Sequence, residues 1–236
     1  MWDFEQGEVL AFDKPLRWTS FDLVAKVRYN LCCKLGKKKL KVGHSGTLDP
    51  LATGVVIICT GKKTKLIESL QYDVKEYVAT MQLGATTPSY DMEKEVDATY
   101  PTEHITRALV DETIPQFLGE QWQVPPMFSA VQINGKRAYE LARKGQEVEL
   151  KPKLLKIDEI EVLSFDEKAM LLTIRVVCSK GTYIRALARD IGERLHSGAY
   201  LTALRRTRVG NTRVEDCLTI ERFLEQLNEI EYVQNE

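Results

Sequence analysis

The segment Lys41–Gly54 reads KVGHSGTLDPLATG, and it sets one carboxylate, Asp49, among three glycines and against a proline, directly ahead of the apolar run GVVIICT at Gly54–Thr60. The glycines at 43, 46 and 54 permit tight backbone conformations and let a ligand approach without meeting a Cβ. Pro50 biases Asp49 toward an extended backbone and itself offers no N–H. On one reading the carboxylate is presented for chemistry. On the other it caps backbone amides in an ordinary turn, since Gly, Asp and Pro are turn residues. The β-branched run that follows predicts a buried strand, so the carboxylate sits on a loop feeding a sheet.

Several alternative chemistries fail on spacing. GKKT at Gly61–Thr64 lacks the glycine that a triphosphate-binding loop needs five residues before its own Gly-Lys pair. The three histidines, His44, His104 and His196, are scattered with no HExxH or cysteine pair beside them, so no metal is expected. The signature of zinc deaminases is missing too. The five cysteines show no zinc or redox spacing and read as free thiols of a reducing compartment.

Composition bounds the rest. A chain of 236 residues with 44% hydrophobic and 28% charged residues is a soluble globular protein able to bury a substantial core. The N-terminus MWDFEQGEVLAFDKP has neither a basic lead nor an apolar core of a secretory signal, and no run reaches membrane-spanning length, so a cytoplasmic protein with no membrane partner is expected. The 33 basic and 34 acidic residues nearly cancel, but they are unevenly spread. Lys26–Lys41 carries only basic charges, and LRRTRVGNTR at Leu204–Arg213 is a second basic cluster ahead of a mostly acidic tail. These segments fit either a phosphate footprint, where counterion release drives nucleic-acid binding, or a solvated mixed surface.

Periodicity places the elements. A strand is expected over Glu8–Phe12, then a helix capped by Thr19 or Ser20 with Phe21, Val24, Val27 and Leu31 on one face. A short helix follows near Thr64–Leu70. KEYVATMQL (Lys75–Leu83) alternates as a half-buried strand with Tyr77, Ala79, Met81 and Leu83 on one side. Gly84–Thr99 lacks a period and reads as a long, functional or mobile loop. Helices are expected over Thr102–Phe117 and Lys136–Lys144, with a Pro-rich turn at VPPM between them, and strands near Leu154–Leu163 and Met170–Cys178. The clearest helix is Thr182–His196. Many strands with scattered helices predict an α+β fold on a mostly antiparallel mixed sheet flanked by helices and loops. With no repeat or linker, one continuous domain is expected over 1–236.

Two further residues draw attention. With Thr182 as N-cap, Arg185 falls at N3 of that helix, where the positive end of the helix disfavours a cation, so either a nearby carboxylate compensates it or it reaches to solvent. Tyr77 reads as a core tyrosine or as a ring at the edge of a cleft that stacks on a planar base.

DKPLRWTS (Asp13–Ser20), GHSGTLDPLATG with GKKTK, KEYVATMQLG, VPPMFSAVQINGKRAYELAR and CSKGTYIRALARDIG resemble, in order and over about Asp13–Arg206, the TruB family of tRNA pseudouridine synthases. The resemblance implies a pseudouridine synthase fold and isomerisation of the uridine at position 55 in the tRNA T-loop, with no cofactor, no metal and no obligate protein partner. It implies that Asp49 is the nucleophile, that Arg185 pairs with it, and that Tyr77 stacks on the target base and handles a proton at C5. His44 is implied to insert into the T-loop as the base flips, with Tyr183, Leu204, Lys14 and, within SYDME, Asp91 lining or supporting the substrate site. The chain departs from the family pattern in having Arg17 where Gly is usual and Gln132 where Lys is usual. It also ends in an acidic helical tail near Thr219–Asn228, where many members continue into a PUA-type RNA-binding domain. The competing readings are an RNA-binding or RNA-folding protein without chemistry, a nucleoside N-glycosidase, and a guide-RNA-dependent relative.

Overall fold

The computed structural model describes residues 2–129, 131–133, 135–138 and 150–229. In chain order the elements are β1 (Val9–Lys14), α1 (Ser20–Lys34), β2 (Val42–Ser45), β3 (Ala52–Thr60), a 3-10 segment at Gly61–Leu66 running into α2 (Ile67–Leu70), and β4 (Lys75–Leu83). Then come β5 (Ala85–Thr86), β6 (Ala98–Thr99), α3 (Arg107–Thr113) with a 3-10 turn at Ile114–Phe117, β7 (Gly119–Gln123), β8 (Gln132–Ile133) and β9 (Lys136–Arg137). The chain closes with β10 (Lys153–Asp166), β11 (Leu171–Cys178), α4 (Ile184–Arg194), β12 (Ala199–Val209), β13 (Thr212–Arg213) and α5 (Ile220–Glu229). The fold is α+β, and the ladders β1–β3, β2–β3, β7–β10, β10–β11 and β12–β13 are all antiparallel.

The chain divides into two compact units, one of residues 1–75 with 205–236 and the other of residues 76–204. In the first, β3 lies between β1 and β2, with Val9 opposite Cys59 and His44 opposite Ile58. One face of β3 joins Val55, Ile57 and Cys59 to Val209 and Val214 in a continuous apolar cluster. Helix α1 starts at a capping box, in which the Thr19 hydroxyl accepts the Asp22 N–H while the Asp22 carboxylate accepts the Thr19 N–H. Such a box stabilises a helix start by about 1 kcal/mol. The buried stripe of α1 is Leu23, Val24, Val27 and Leu31. Phe21, expected inward, is 68% exposed, because it sits a turn's edge away from that stripe. The acidic C-terminal segment is an amphipathic helix whose Phe223 is fully buried and meets the edge of the Phe12 ring.

In the second unit, β10 lies between β7 and β11, and bulges at Ile157/Glu159 and Val162/Ser164 bend this long strand. On β4 the side chains of Tyr77, Ala79, Met81 and Leu83 are buried, as the alternation predicts. Arg175 on β11 bridges Glu76 on β4 and Glu159 on β10, a cross-strand ion network on the other face. The helix expected over Thr102–Phe117 is shorter, since Thr106 is its N-cap and Pro115 leads the last turn into 3-10 geometry. Lys136–Arg137, expected to open a helix, instead pairs with Gln132–Ile133, Ala138 is helical, and the remainder of that expected helix, 139–144, lies outside the described residues. The segment 84–99 is tied at its base by the β5–β6 pair, and Thr87, Ser89 and Asp91 within it are buried.

Candidate active site

Asp49 lies in the first unit, half-buried, on the loop between β2 and β3. The loop is fastened from three sides. Ser20, at the start of α1, accepts the Leu48 N–H at 2.9 Å and donates to the Leu48 carbonyl at 3.2 Å. The Asp49 carbonyl accepts the Ala52 N–H at 3.0 Å, and the Pro50 carbonyl accepts the Arg17 N–H at 2.7 Å. Arg17 occupies the left-handed region at φ +67°, a backbone state glycine adopts without cost, and the turn is kept despite the side chain.

The third fastening is Arg206, which is 1% exposed. Its Nε donates to the Val55 carbonyl at 2.7 Å, its Nη2 to Gly46 at 2.9 Å and its Nη1 to Thr47 at 3.5 Å. The backbone of Arg206 also passes so close to Gly54, itself at φ +109°, that a Cβ there would meet the Arg206 carbonyl oxygen at 2.1 Å. Arg206 belongs to the basic cluster expected as a phosphate footprint, and its burial removes it from that role. Its neighbour Arg205 is held by Asp13 at 2.7 Å and Thr53 at 3.1 Å.

Lys14 is fully buried, and its ammonium donates to the carbonyls of Pro15 at 2.9 Å and Trp18 at 2.6 Å. Burial pushes its pKa down to about 8, with the Asp49 carboxylate offsetting part of the shift and the Arg206 guanidinium adding to it. His44 on β2 meets the exposed Phe21 ring edge-on, centroids 5.6 Å apart. Burial first, and Arg206 second, hold the His44 imidazole below its ordinary pKa, and its Nδ1 is buried without a hydrogen-bond partner. The first unit therefore gathers Lys14, His44 and Asp49.

The second unit holds Tyr77, Asp91, Tyr183, Arg185 and Leu204. Helix α4 is capped at Tyr183, so Arg185 stands at N2, one residue nearer the helix start than a Thr182 cap implies. It is 5% exposed, which rules out the solvent-reaching alternative. Its guanidinium donates to the carbonyls of Ser89 at 3.2 Å and Phe128 at 2.9 Å, and its Nε stands 3.9 Å from the Asp91 carboxylate. These acceptors offset the unfavourable position of a cation near a helix N-terminus. Asp91, expected in a mobile loop, is 6% exposed, and its carbonyl accepts from the Thr87 hydroxyl at 2.7 Å. Tyr77 is 8% exposed on β4, Tyr183 and Leu204 are half-buried.

Two residues that hold this machinery escaped the pattern of the sequence. Gln123 is buried and its Oε1 accepts the N–H of Tyr183, the N-cap residue of α4, at 2.9 Å. Arg206 lay inside a run that looked uniformly basic, with only the adjacent apolar spacing to suggest an inward side chain. A cleft of about 360 Å³ in the second unit, lined by Trp122, Gln123, Asp190 and Arg194 among others, includes none of Tyr77, Asp91, Tyr183 or Arg185. Among the described residues no group of three His, Cys, Asp or Glu side chains is placed to hold a metal ion, and no helix is long and apolar enough to cross a membrane.

Comparison with known proteins adds the following. A model described as TruB family pseudouridylate synthase (N terminal domain) matches residues 33–184, and one described as tRNA pseudouridylate synthase B C-terminal domain matches residues 185–235. The protein named tRNA pseudouridine synthase B from Phocaeicola vulgatus is 67% identical over 236 residues, covering 99% of this chain and 100% of that protein. Its namesake from Bacteroides thetaiotaomicron is 66% identical, covering 99% and 98%. Among solved structures, a Cbf5-Nop10-Gar1 complex matches with TM-score 0.70 and 28% identity over 97% of this chain and 58% of that chain. An archaeal box H/ACA sRNP Nop10-Cbf5 complex matches with TM-score 0.66 and 26% identity over 95% and 55%. The chain thus spans little more than half the length of those two structural relatives.

Proposed function

We propose, because this chain belongs to the TruB family of pseudouridine synthases, that it isomerises uridine to pseudouridine in tRNA, at position 55 of the T-loop, with Asp49 as nucleophile. The observation that carries this reading is full-length identity of 67% to a protein named tRNA pseudouridine synthase B, together with a half-buried Asp49 on a loop fastened on three sides. A nucleophile works best when its position is set before substrate arrives, and covalent catalysis divides one difficult step into two easier ones.

The net chemistry is an exchange of bonds at the sugar. The bond from ring N1 to C1′ breaks, the base turns in place, a bond from C5 to C1′ forms, C5 loses a proton and N1 gains one. Attack by Asp49 at the sugar or at the base ring leads to the same balance. The base must first leave its stack, at a cost of a few kcal/mol that contacts in the site replace. In this proposal Tyr77 stacks on the extruded base and handles the C5 proton, Arg185 supplies the charge partner of the nucleophile, and His44 fills the place the base vacates. Tyr183, Leu204, Asp91 and Lys14 line or support the pocket. The exposed lysines of 38–41 meet tRNA phosphate. None of the five cysteines is in a disulfide, in keeping with a tRNA-modifying protein of the reducing cytoplasm.

The test is incubation of the purified protein with unmodified tRNA transcript, mapping pseudouridine by carbodiimide-dependent reverse-transcription stops. A stop at position 55 is expected, and Asp49→Asn should bind tRNA nearly as well while forming no product. Full turnover by Asp49→Asn would remove the nucleophile assignment. Release of free uracil would point instead to glycosidic cleavage, and binding without any stop would point to a non-catalytic tRNA-binding protein.

A further inference from the structure

We propose that Arg206 is a positioning residue for the reaction, its guanidinium setting the backbone of the loop that presents Asp49; the inference rests on the isomerase reading above. Its three acceptors bracket the nucleophile in sequence: Gly46 and Thr47 lie just before Asp49, and Val55 lies just after it on β3. One planar side chain thus ties the entry and the exit of the loop to a single strand. The fork of donors makes this possible, because a lysine ammonium presents a point charge that cannot span three carbonyls in fixed directions.

The environment of Arg206 supports the assignment. A guanidinium only 1% exposed is costly to bury, and among the described residues no carboxylate stands within 4.0 Å of it. A salt bridge therefore does not explain its burial, and its hydrogen bonds are spent on main-chain carbonyls of one loop. Its charge is also felt at the site, for it lowers the pKa of both Lys14 and His44. Other charged groups facing Lys14 are Asp13, which Arg205 pairs, Asp22 and Asp49. Neighbouring Arg205 and Arg208 do not share the role, being held by Asp13 and by the Gly210 carbonyl.

The experiment compares wild type with Arg206→Lys and Arg206→Gln in three readouts. The first is the single-turnover rate on a tRNA transcript beside the dissociation constant for the same RNA. The second is amide hydrogen exchange over 46–55 without RNA. The third is the His44 imidazole titration by NMR. The expected result is a rate loss on the order of a hundredfold with affinity within about threefold of wild type, and roughly tenfold faster exchange confined to 46–55. Lys should be no better than Gln in rate, while the His44 pKa rises in Gln and stays in Lys, which separates geometry from charge. Wild-type rate in either variant, a rate loss without loosened exchange, or rescue by Lys to within threefold of wild type would each overturn the proposal. So would failure of both variants to fold, which would make Arg206 a general structural residue. A wild-type protein that forms no pseudouridine would instead defeat the isomerase reading, and the exchange and titration results would still report on the loop.

Discussion

The backbone N–H of Arg17 donates to the Pro50 carbonyl at 2.7 Å, and Arg17 makes that bond from the left-handed region at φ +67°. The turn after β1 is thereby joined to the loop that carries Asp49, one residue from the proposed nucleophile. For an L-residue that conformation costs about 1–2 kcal/mol, against a smaller entropic penalty for glycine.

Arg17→Gly should therefore stabilise the protein by up to about 1 kcal/mol, a rise in Tm of about 2–4 °C for a chain of this size. Among the described residues the exposed Arg17 side chain makes no bond that offsets the loss. Urea denaturation checks this, and a variant less stable than wild type would contradict the strain assigned to the turn.

Lys14 predicts a pH dependence of stability. Its folded pKa, about 8, lies below its ordinary 10.5, so from pH 8 to 10.5 the unfolded chain binds more protons than the folded one. Stability owed to this residue should then rise with pH across that window, by about 3 kcal/mol at most, and be at its lowest below pH 8. Unfolding of wild type and Lys14→Met measured from pH 7 to 10.5 should show the rise in wild type only. Parallel curves would place the ammonium in an ordinary solvated setting.

Arg185→Met removes donors from the carbonyls of Ser89 and Phe128 and the cation near Asp91. Turnover should fall on the order of a hundredfold with tRNA affinity within about threefold. Equal losses in kcat and in affinity would make Arg185 a binding residue alone.

Lys37 is already paired with Glu5, so the RNA footprint of the basic segment should rest on exposed Lys38, Lys39 and Lys41. Replacing these three by Ala should weaken tRNA binding and reduce the slope of log affinity against log salt by about 2–3, roughly one per lost phosphate contact. Filter binding at several salt concentrations measures it, and an unchanged slope would put these lysines away from the RNA.

What could be read from the chain follows physical lines. The strand alternation of Tyr77, Ala79, Met81 and Leu83 and the helical stripe from Ile184 to Leu195 were legible because one face of each is apolar, and burial obeys that period. Thr19 was legible as one of two candidate caps for α1, and the structure chooses it over Ser20 and adds the reciprocal bond from Asp22. Less visible were features set by contacts distant in sequence. The N–H of Tyr183 at the start of α4 is taken up by Gln123, sixty residues away, and no local pattern marks that bond. Phe21 was misplaced because helical spacing alone does not say where a stripe ends. Of the candidate site, Asp49 was marked by its glycines and proline, whereas Arg206 looked like its solvated neighbours because charge alone does not tell an inward arginine from an outward one. Lys136 and Arg137 favour a helix locally, yet they pair with Gln132 and Ile133, because pairing is decided across the turn.

The close approach of Gly54 to residue 206 is made with main chain, since the carbonyl oxygen there occupies the space any β-carbon would need. Because every amino acid carries that same oxygen, no second-site change of identity at 206 could compensate a larger residue at 54. A suppressor screen starting from Gly54→Ala should therefore return only true revertants or changes that shift the strand as a whole, and this position should tolerate fewer replacements than the other residues around Asp49.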